Sequence, residues 1–182
     1  MERYEPFLLI NFKTYLEATG KRAVELSKQI EKVGENAGVK VGVAPQFCDL
    51  EKVAASVGIP VFAQHIDSVT PGASTGHVLA ESVKAAGADG TLINHSEKAL
   101  LLIDIDRAVQ LAKQTGLRSV VCAGTARMAA AVALSEPDMV AIEPPELIGS
   151  MATISGSDNA TAAAILAVPA HTTDLNPVCF AS

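Results

Sequence analysis

Short apolar runs alternate with amphipathic segments along most of the chain. The runs predict strands at 7–11, 39–44, 60–64, 90–94, 119–123 and 139–142. Between them, apolar positions recur at helical spacing, and glycines follow several of these segments. They predict helices over 19–36, 50–57, 77–86, 103–114 and 126–134. The order is therefore strand, helix, strand, helix, with no hairpin signal.

The apolar runs are continuous and do not alternate with polar residues, which is typical of strands buried on both faces. Together with the βα order, this predicts a parallel α/β sheet. The loosely regular spacing of the strands indicates one βα unit for each. No low-complexity linker interrupts residues 1–150, so they are predicted to form one domain.

Polar residues collect just after the ends of the predicted strands. In parallel α/β folds the carboxyl ends of the strands form one edge, where sites are built. Taken singly, Lys13 fits a surface lysine, His95 a packing histidine, and Glu97 a first-turn carboxylate. Their shared position favours a common site at the strand ends, made of Asn11, Lys13, Gln64, His95, Glu97 and Glu143.

Composition limits the partners of this site. The net charge of −6 over 182 residues argues against nucleic acid or an anionic membrane, but it allows a local cationic pocket. The 3 cysteines are widely spaced, which predicts a reducing, cytoplasmic compartment. We find no secretory leader, membrane span, metal-binding spacing, phosphate-binding glycine motif or GxSxG elbow. We expect no metal and no cofactor.

The predicted site offers chemistry that needs neither a metal nor a cofactor. A carboxylate such as Glu143 can remove a proton next to a carbonyl, and its strand is followed by two prolines that stiffen the exit. His95, close to a helix N-terminus, can donate a hydrogen bond to the developing enediolate oxygen. Lys13 supplies positive charge for an anionic substrate. A solvated loop glutamate remains the alternative interpretation of Glu143.

Five motifs, in order and in register over about residues 5–150, resemble the triosephosphate isomerase family in its archaeal-type form. They are Asn11-Phe-Lys13, Ala63-Gln64-His-Ile-Asp67, Thr75-Gly76-His77, Asn94-His95-Ser96-Glu97 and Glu143-Pro-Pro-Glu-Leu-Ile-Gly149. The resemblance implies a TIM (β/α)8-type barrel. It also implies interconversion of dihydroxyacetone phosphate and D-glyceraldehyde 3-phosphate through an enediolate, in glycolysis and gluconeogenesis. A glutamate base beside a neutral histidine is the well-known pairing of this same family, so it is inherited from the resemblance.

The resemblance also assigns roles. Glu143 is the base, His95 polarises the carbonyl, and Lys13 is the third catalytic residue. Asn11 binds substrate with Lys13, and Gly149 and Ser150 belong to a lid whose amides hold the phosphate. Glu97 supports the histidine and the lysine. A homodimer or homotetramer is implied, with intersubunit contacts through Gln64, Thr75 and Gly76.

The resemblance stops after Ser150. Residues 151–182 contain no Lys, Arg or Glu, are rich in Ala, Thr and Ser, and predict at most one helix. We interpret them as an atypical tail that is frame-shifted or otherwise replaced. The barrel is then expected to be incomplete, with about six βα units and open edges beside the first and sixth strands.

Three functions follow from this interpretation. The first is the isomerase, with weak or no activity in this chain because loops after the seventh and eighth strands form the usual phosphate site. The alternatives are a non-catalytic, sugar-phosphate-binding partial barrel and a non-functional truncated product.

Overall fold

The computed structural model describes residues 7–142 and 178–181. Seven strands are present there: β1 Phe7–Asn11, β2 Lys40–Ala44, β3 Phe62–Ala63, β4 Gly90–Ile93, β5 Arg118–Ala123, β6 Met139–Ile142 and β7 Val178–Ala181. The helices are α1 Lys21–Ala37, α2 Phe47–Ala54, α3 Ala80–Ala85, α4 Leu102–Thr115 and α5 Ala126–Ala133. Two short 3-10 helices cover Leu16–Ala18 and Ser96–Lys98. The predicted βα order is confirmed through β6.

All the strand pairs are parallel and follow a cyclic order. One sheet runs β2-β1-β7 and the other β3-β4-β5-β6. The bridge between Val43 and Val61 joins β2 to β3, and β6 and β7 are in contact. The strands therefore succeed one another around a barrel, which confirms the predicted fold class.

β7 corrects the expectation of an open edge beside β1. Phe7 pairs with Val178 and Ile10 with Ala181, so this strand lies where the last strand of a closed barrel lies. The run Val-Cys-Phe-Ala is short and apolar, but the Ala- and Thr-rich composition of the whole tail concealed it. The predicted division into residues 1–150 and a tail stays a prediction.

Strands β2 to β5 are buried almost throughout, as their continuous apolar runs predicted. Inside the barrel, the fully buried Leu9, Phe62, Leu92 and Val120 pack together. A second and larger cluster, which includes Val43, lies between the strands and the helices. The two layers hold the strand ends in place.

Local signals explain most helix boundaries. Gly38 and Gly116 end α1 and α4 in the left-handed conformation, and the Thr125 side chain accepts a hydrogen bond from Met128 N–H at the start of α5. α3 begins at Ala80, later than predicted from the sequence, because the backbone of Val78 is bound to Asp67. No helix within the described ranges combines the length and the hydropathy needed to cross a bilayer.

Candidate active site

The end of β1 places Asn11 and Lys13 at the carboxyl edge of the barrel. Asn11 is buried, and its Oδ1 accepts a hydrogen bond from Lys13 N–H at 2.9 Å. This bond closes a tight local turn, and Lys13 has a φ of 46°, a region that residues with a Cβ seldom occupy. The Lys13 side chain is only 10% exposed. The turn therefore directs a largely buried ammonium group to the site.

The end of β4 contributes a second turn, formed by Asn94. This residue has a φ of 61° and is buried. Its Nδ2 donates to Cys122 O at 2.9 Å, and its Oδ1 accepts from Leu100 N–H at 2.9 Å. Asn94 thus ties the end of β4 to β5 and to the loop before α4. His95 follows directly and is buried as well.

Two contacts of His95 Nδ1 bear on where its proton lies. Glu97 N–H donates to Nδ1 at 3.2 Å, and Glu97 Oε2 lies 3.5 Å from the same atom. The first contact requires Nδ1 to be unprotonated, and the second is favourable only if it is protonated. We favour the first because it is shorter and directed, whereas 3.5 Å is long for a charged hydrogen bond. The ring is then neutral, with its proton on Nε2.

Glu97 joins the lysine to the histidine. Its Oε1 lies 3.4 Å from Lys13 Nζ, while its Oε2 faces the His95 ring. The Glu97 side chain is 56% exposed, so water weakens this ion pair. Its main effect is to provide a counter-charge for an ammonium that has little water of its own. The structure thus brings together these three residues, which the sequence placed at the ends of two different strands.

Gln64 follows β3 and points into the same edge. Its Nε2 donates to Lys13 O at 2.8 Å and to Ala44 O at 3.0 Å. Gln64 was predicted to be an intersubunit residue. Its amide nitrogen is engaged within the chain, and the intersubunit role stays a prediction.

These residues line a cavity of about 450 Å³ at the carboxyl ends of the strands. Its size suits a small metabolite, and its polar groups converge from three strand ends. Aromatic rings of Tyr15 and Phe47, both exposed, form part of its wall. The polar part of the wall includes Asn11, Lys13, Gln64, His65, His95 and Glu97.

Sequence reasoning missed a cluster at the cavity wall, in which His65 is buried, Asp67 is partly buried and His77 is exposed. His65 Nε2 lies 3.0 Å from Asp67 Oδ1, and Asp67 Oδ2 accepts from Val78 N–H at 2.7 Å and lies 3.4 Å from His77 Nδ1. Burial lowers the pKa of His65 more than Asp67 raises it. Burial acts to raise the pKa of Asp67, but hydrogen bonds from His65 and Val78 outweigh it and the pKa lies below its usual value. The pair is therefore neutral histidine with carboxylate, and it closes the base of the loop 68–77.

Other predicted site residues fall elsewhere. Thr75 and Gly76 are exposed in the loop 68–77 and do not line the cavity. Glu143, Gly149 and Ser150 lie outside the described residues. Asn94 and Asp67 were within reach of the sequence, because a polar residue at a strand end followed by a tight loop is a common turn signal.

The strands form a parallel βα barrel, and the cavity at their carboxyl ends holds an ammonium group and an imidazole. This arrangement is that of the (β/α)8 enzymes. The family model described as triosephosphate isomerase matches residues 6–175. The chain belongs to the triosephosphate isomerase family.

Individual relatives agree with this assignment. The triosephosphate isomerase of Methanocaldococcus jannaschii is 50% identical over 148 residues, which cover 81% of this chain and 68% of that protein. That of Methanosarcina barkeri is 50% identical over 153 residues, or 84% and 69% of the two chains. The crystal structure of triosephosphate isomerase from Bartonella henselae superposes with a TM-score of 0.64 at 21% identity, over 77% of this chain and 68% of that one. The last comparison supports the fold alone.

Proposed function

We propose that this chain catalyses the interconversion of dihydroxyacetone phosphate and D-glyceraldehyde 3-phosphate. The observation that carries the proposal is the meeting of Lys13, His95 and Glu97 in one cavity at the strand ends of a chain of this family. A non-catalytic sugar-phosphate-binding module would need the cation but has no use for an imidazole tied in one tautomer. Pairing of β7 with β1 also closes one of the two edges that were expected to be open.

The described residues suggest how the reaction proceeds. Lys13 attracts the phosphorylated substrate, and Asn11 stabilises the backbone turn at Lys13. With Nδ1 accepting from Glu97 N–H, His95 carries its proton on Nε2 and polarises the carbonyl as the enediolate forms. We assign the proton transfer between the two carbons to Glu143 and phosphate binding to the amides of Gly149 and Ser150. Those three assignments rest on the family motif.

A coupled enzyme assay of the purified chain tests the proposal. Glu143→Gln should lower kcat by about 10²- to 10⁴-fold, because it removes a general base and keeps the side-chain shape. Glu35→Gln, on the exposed surface of α1, is the matched control and should leave the rate unchanged. Equal rates in the wild type and Glu143→Gln would sink the proposal. Deuterium from solvent should also enter the substrate carbon next to the carbonyl.

We further propose that the protein is cytoplasmic and forms a homodimer or homotetramer. The free thiols of Cys48 and Cys122 support a reducing compartment. The exposed loop that carries Thr75 and Gly76 is fixed at its base by Asp67 and can reach a second subunit. Light scattering with size-exclusion chromatography measures the assembly, and a monomer at every concentration would refute it.

A further inference from the structure

The backbone of Lys13 is held from both sides by carboxamide side chains. Asn11 Oδ1 accepts from its N–H at 2.9 Å, and Gln64 Nε2 donates to its carbonyl at 2.8 Å. Between these bonds, φ is 46°, in the left-handed region. An L residue that is not held would leave this region for an extended or right-handed one. Such a rotation would redirect Cβ and carry the ammonium away from Glu97.

Gln64 is suited to this task by its donors. Its second N–H goes to Ala44 O at 3.0 Å, the carbonyl that also accepts from Phe12 N–H at 3.0 Å. Both partners of Nε2 are carbonyl oxygens, so only the nitrogen can face them and the orientation of the amide is determined. The side chain thereby connects the ends of β1, β2 and β3.

We propose that Gln64 is a positioning residue that acts through Lys13. It holds the left-handed turn that places the ammonium beside Glu97 in the cavity. The inference deepens the proposed function and rests on it only where Lys13 acts on substrate. The conformation of Lys13 itself can be tested without any turnover.

A purely structural role is the competing explanation. β2 and β3 are joined by the Val43–Val61 bridge, and Gln64 lies at the end of this narrow seam. Asp89 offers a matched control, since its Oδ2 accepts from Val61 N–H at 2.9 Å near the opposite end of β3. Asp89→Ala weakens the same strand but removes no contact to Lys13.

The experiment compares Gln64→Met with Asp89→Ala in the full chain. Gln64→Met keeps the length of the side chain and removes both donors. Its effect on Lys13 is read from the amide-to-Hα coupling constant in NMR, which reports φ. We expect the Lys13 coupling to change in Gln64→Met and to stay as in the wild type in Asp89→Ala. Gln64→Glu, which sets a carboxylate against two carbonyl oxygens, is the second variant if the first does not fold.

Kinetics supply the second readout. Gln64→Met should lower kcat/KM about tenfold, mainly through KM, because the positively charged contact to substrate is misplaced. In a Lys13→Met background the same change should cost less than about twofold, since residues acting as a unit are not additive. Asp89→Ala should lower only the denaturation midpoint.

Three results would overturn the proposal. They are an unchanged Lys13 coupling in a folded Gln64 variant, full additivity with Lys13→Met, and failure of both Gln64 variants to fold. If the wild type does not turn over triose phosphates, the proposed function fails, and the Lys13 coupling still decides the role of Gln64.

Discussion

Asn94 allows the turn before His95 to be tested without touching a reacting group. Asn94→Ala removes its bonds to Cys122 O and Leu100 N–H, both at 2.9 Å. The loss of two such bonds at a buried residue costs about 2–4 kcal/mol. Alanine at a φ of 61° adds about 1 kcal/mol of backbone strain. The expected loss is about 3–5 kcal/mol, a large part of the stability of a typical domain.

A glycine variant separates the two contributions. Asn94→Gly loses the same hydrogen bonds but accepts positive φ without strain, so it should be more stable than Asn94→Ala by about 1 kcal/mol. This reverses the usual order of the two residues. Asn94→Asp keeps the acceptor for Leu100 and loses the donor to Cys122, so it should fall between the alanine variant and the wild type.

Urea denaturation followed by circular dichroism measures all three variants, with equal m-values as the check on two-state unfolding. If Asn94→Ala is at least as stable as Asn94→Gly, the turn is not strained and the reasoning fails. A loss below about 1 kcal/mol in both would show that the buried hydrogen bonds contribute little.

Three further predictions concern charge, pH and packing. Glu97→Gln removes the counter-charge of Lys13 and should lower kcat/KM about tenfold. The free energy of unfolding should fall by less than about 1 kcal/mol because Glu97 is 56% exposed. A loss of stability without a loss of kcat/KM would contradict this prediction. Because the pKa of His65 is lowered in the folded chain, the unfolded chain protonates this histidine at a higher pH, and the free energy of unfolding should fall as the pH drops below 6.5. The stability that Asp67 contributes is lost only below pH 3.8, because its pKa is lowered as well. The slope below pH 6.5 should be reduced in His65→Gln, as measured by denaturation at several pH values. Gly90→Ala should prevent folding or cost at least about 3 kcal/mol in thermal unfolding, because the new Cβ would collide with the Arg118 carbonyl of β5 and the buried Phe62 ring. A mild effect would show that the barrel can expand there.

The strands were predictable because burial on both faces leaves continuous apolar runs. Most of the helices were predictable because their apolar positions recur at helical spacing. The predicted helix boundaries were less accurate where a side chain forms hydrogen bonds to the backbone of a residue distant in sequence. α3 begins after Leu79 and not at His77, since Asp67 uses both the N–H and the carbonyl of Val78. A contact between residues 67 and 78 has no trace in the local periodicity. In the same cluster His65 is buried, although it follows the end of a strand.

The candidate site was predictable in its membership and not in its geometry. Lys13, His95 and Glu97 were found because parallel strands bring their carboxyl ends to one edge. The left-handed conformation of Lys13 was not, because lysine seldom adopts it and one of the hydrogen bonds that hold it comes from Gln64, which is distant in sequence. β7 escaped because its four apolar residues end an alanine- and threonine-rich tail, outside the regular strand–helix alternation that revealed the equally short β6.

Three carboxamides, Asn11, Gln64 and Asn94, share one task at this edge of the barrel. Parallel strands end with unpaired N–H and carbonyl groups, and a carboxamide can satisfy either kind. Asn11 accepts, Gln64 donates twice, and Asn94 does both. Because these side chains are neutral, they shape the turns without adding charge to the cavity. The field that a phosphorylated substrate meets from the described part of the site is then set chiefly by the charged groups of Lys13, Glu97 and Lys98. Replacing a carboxamide by a carboxylate would disturb both the turn and that field, whereas an apolar replacement disturbs only the turn.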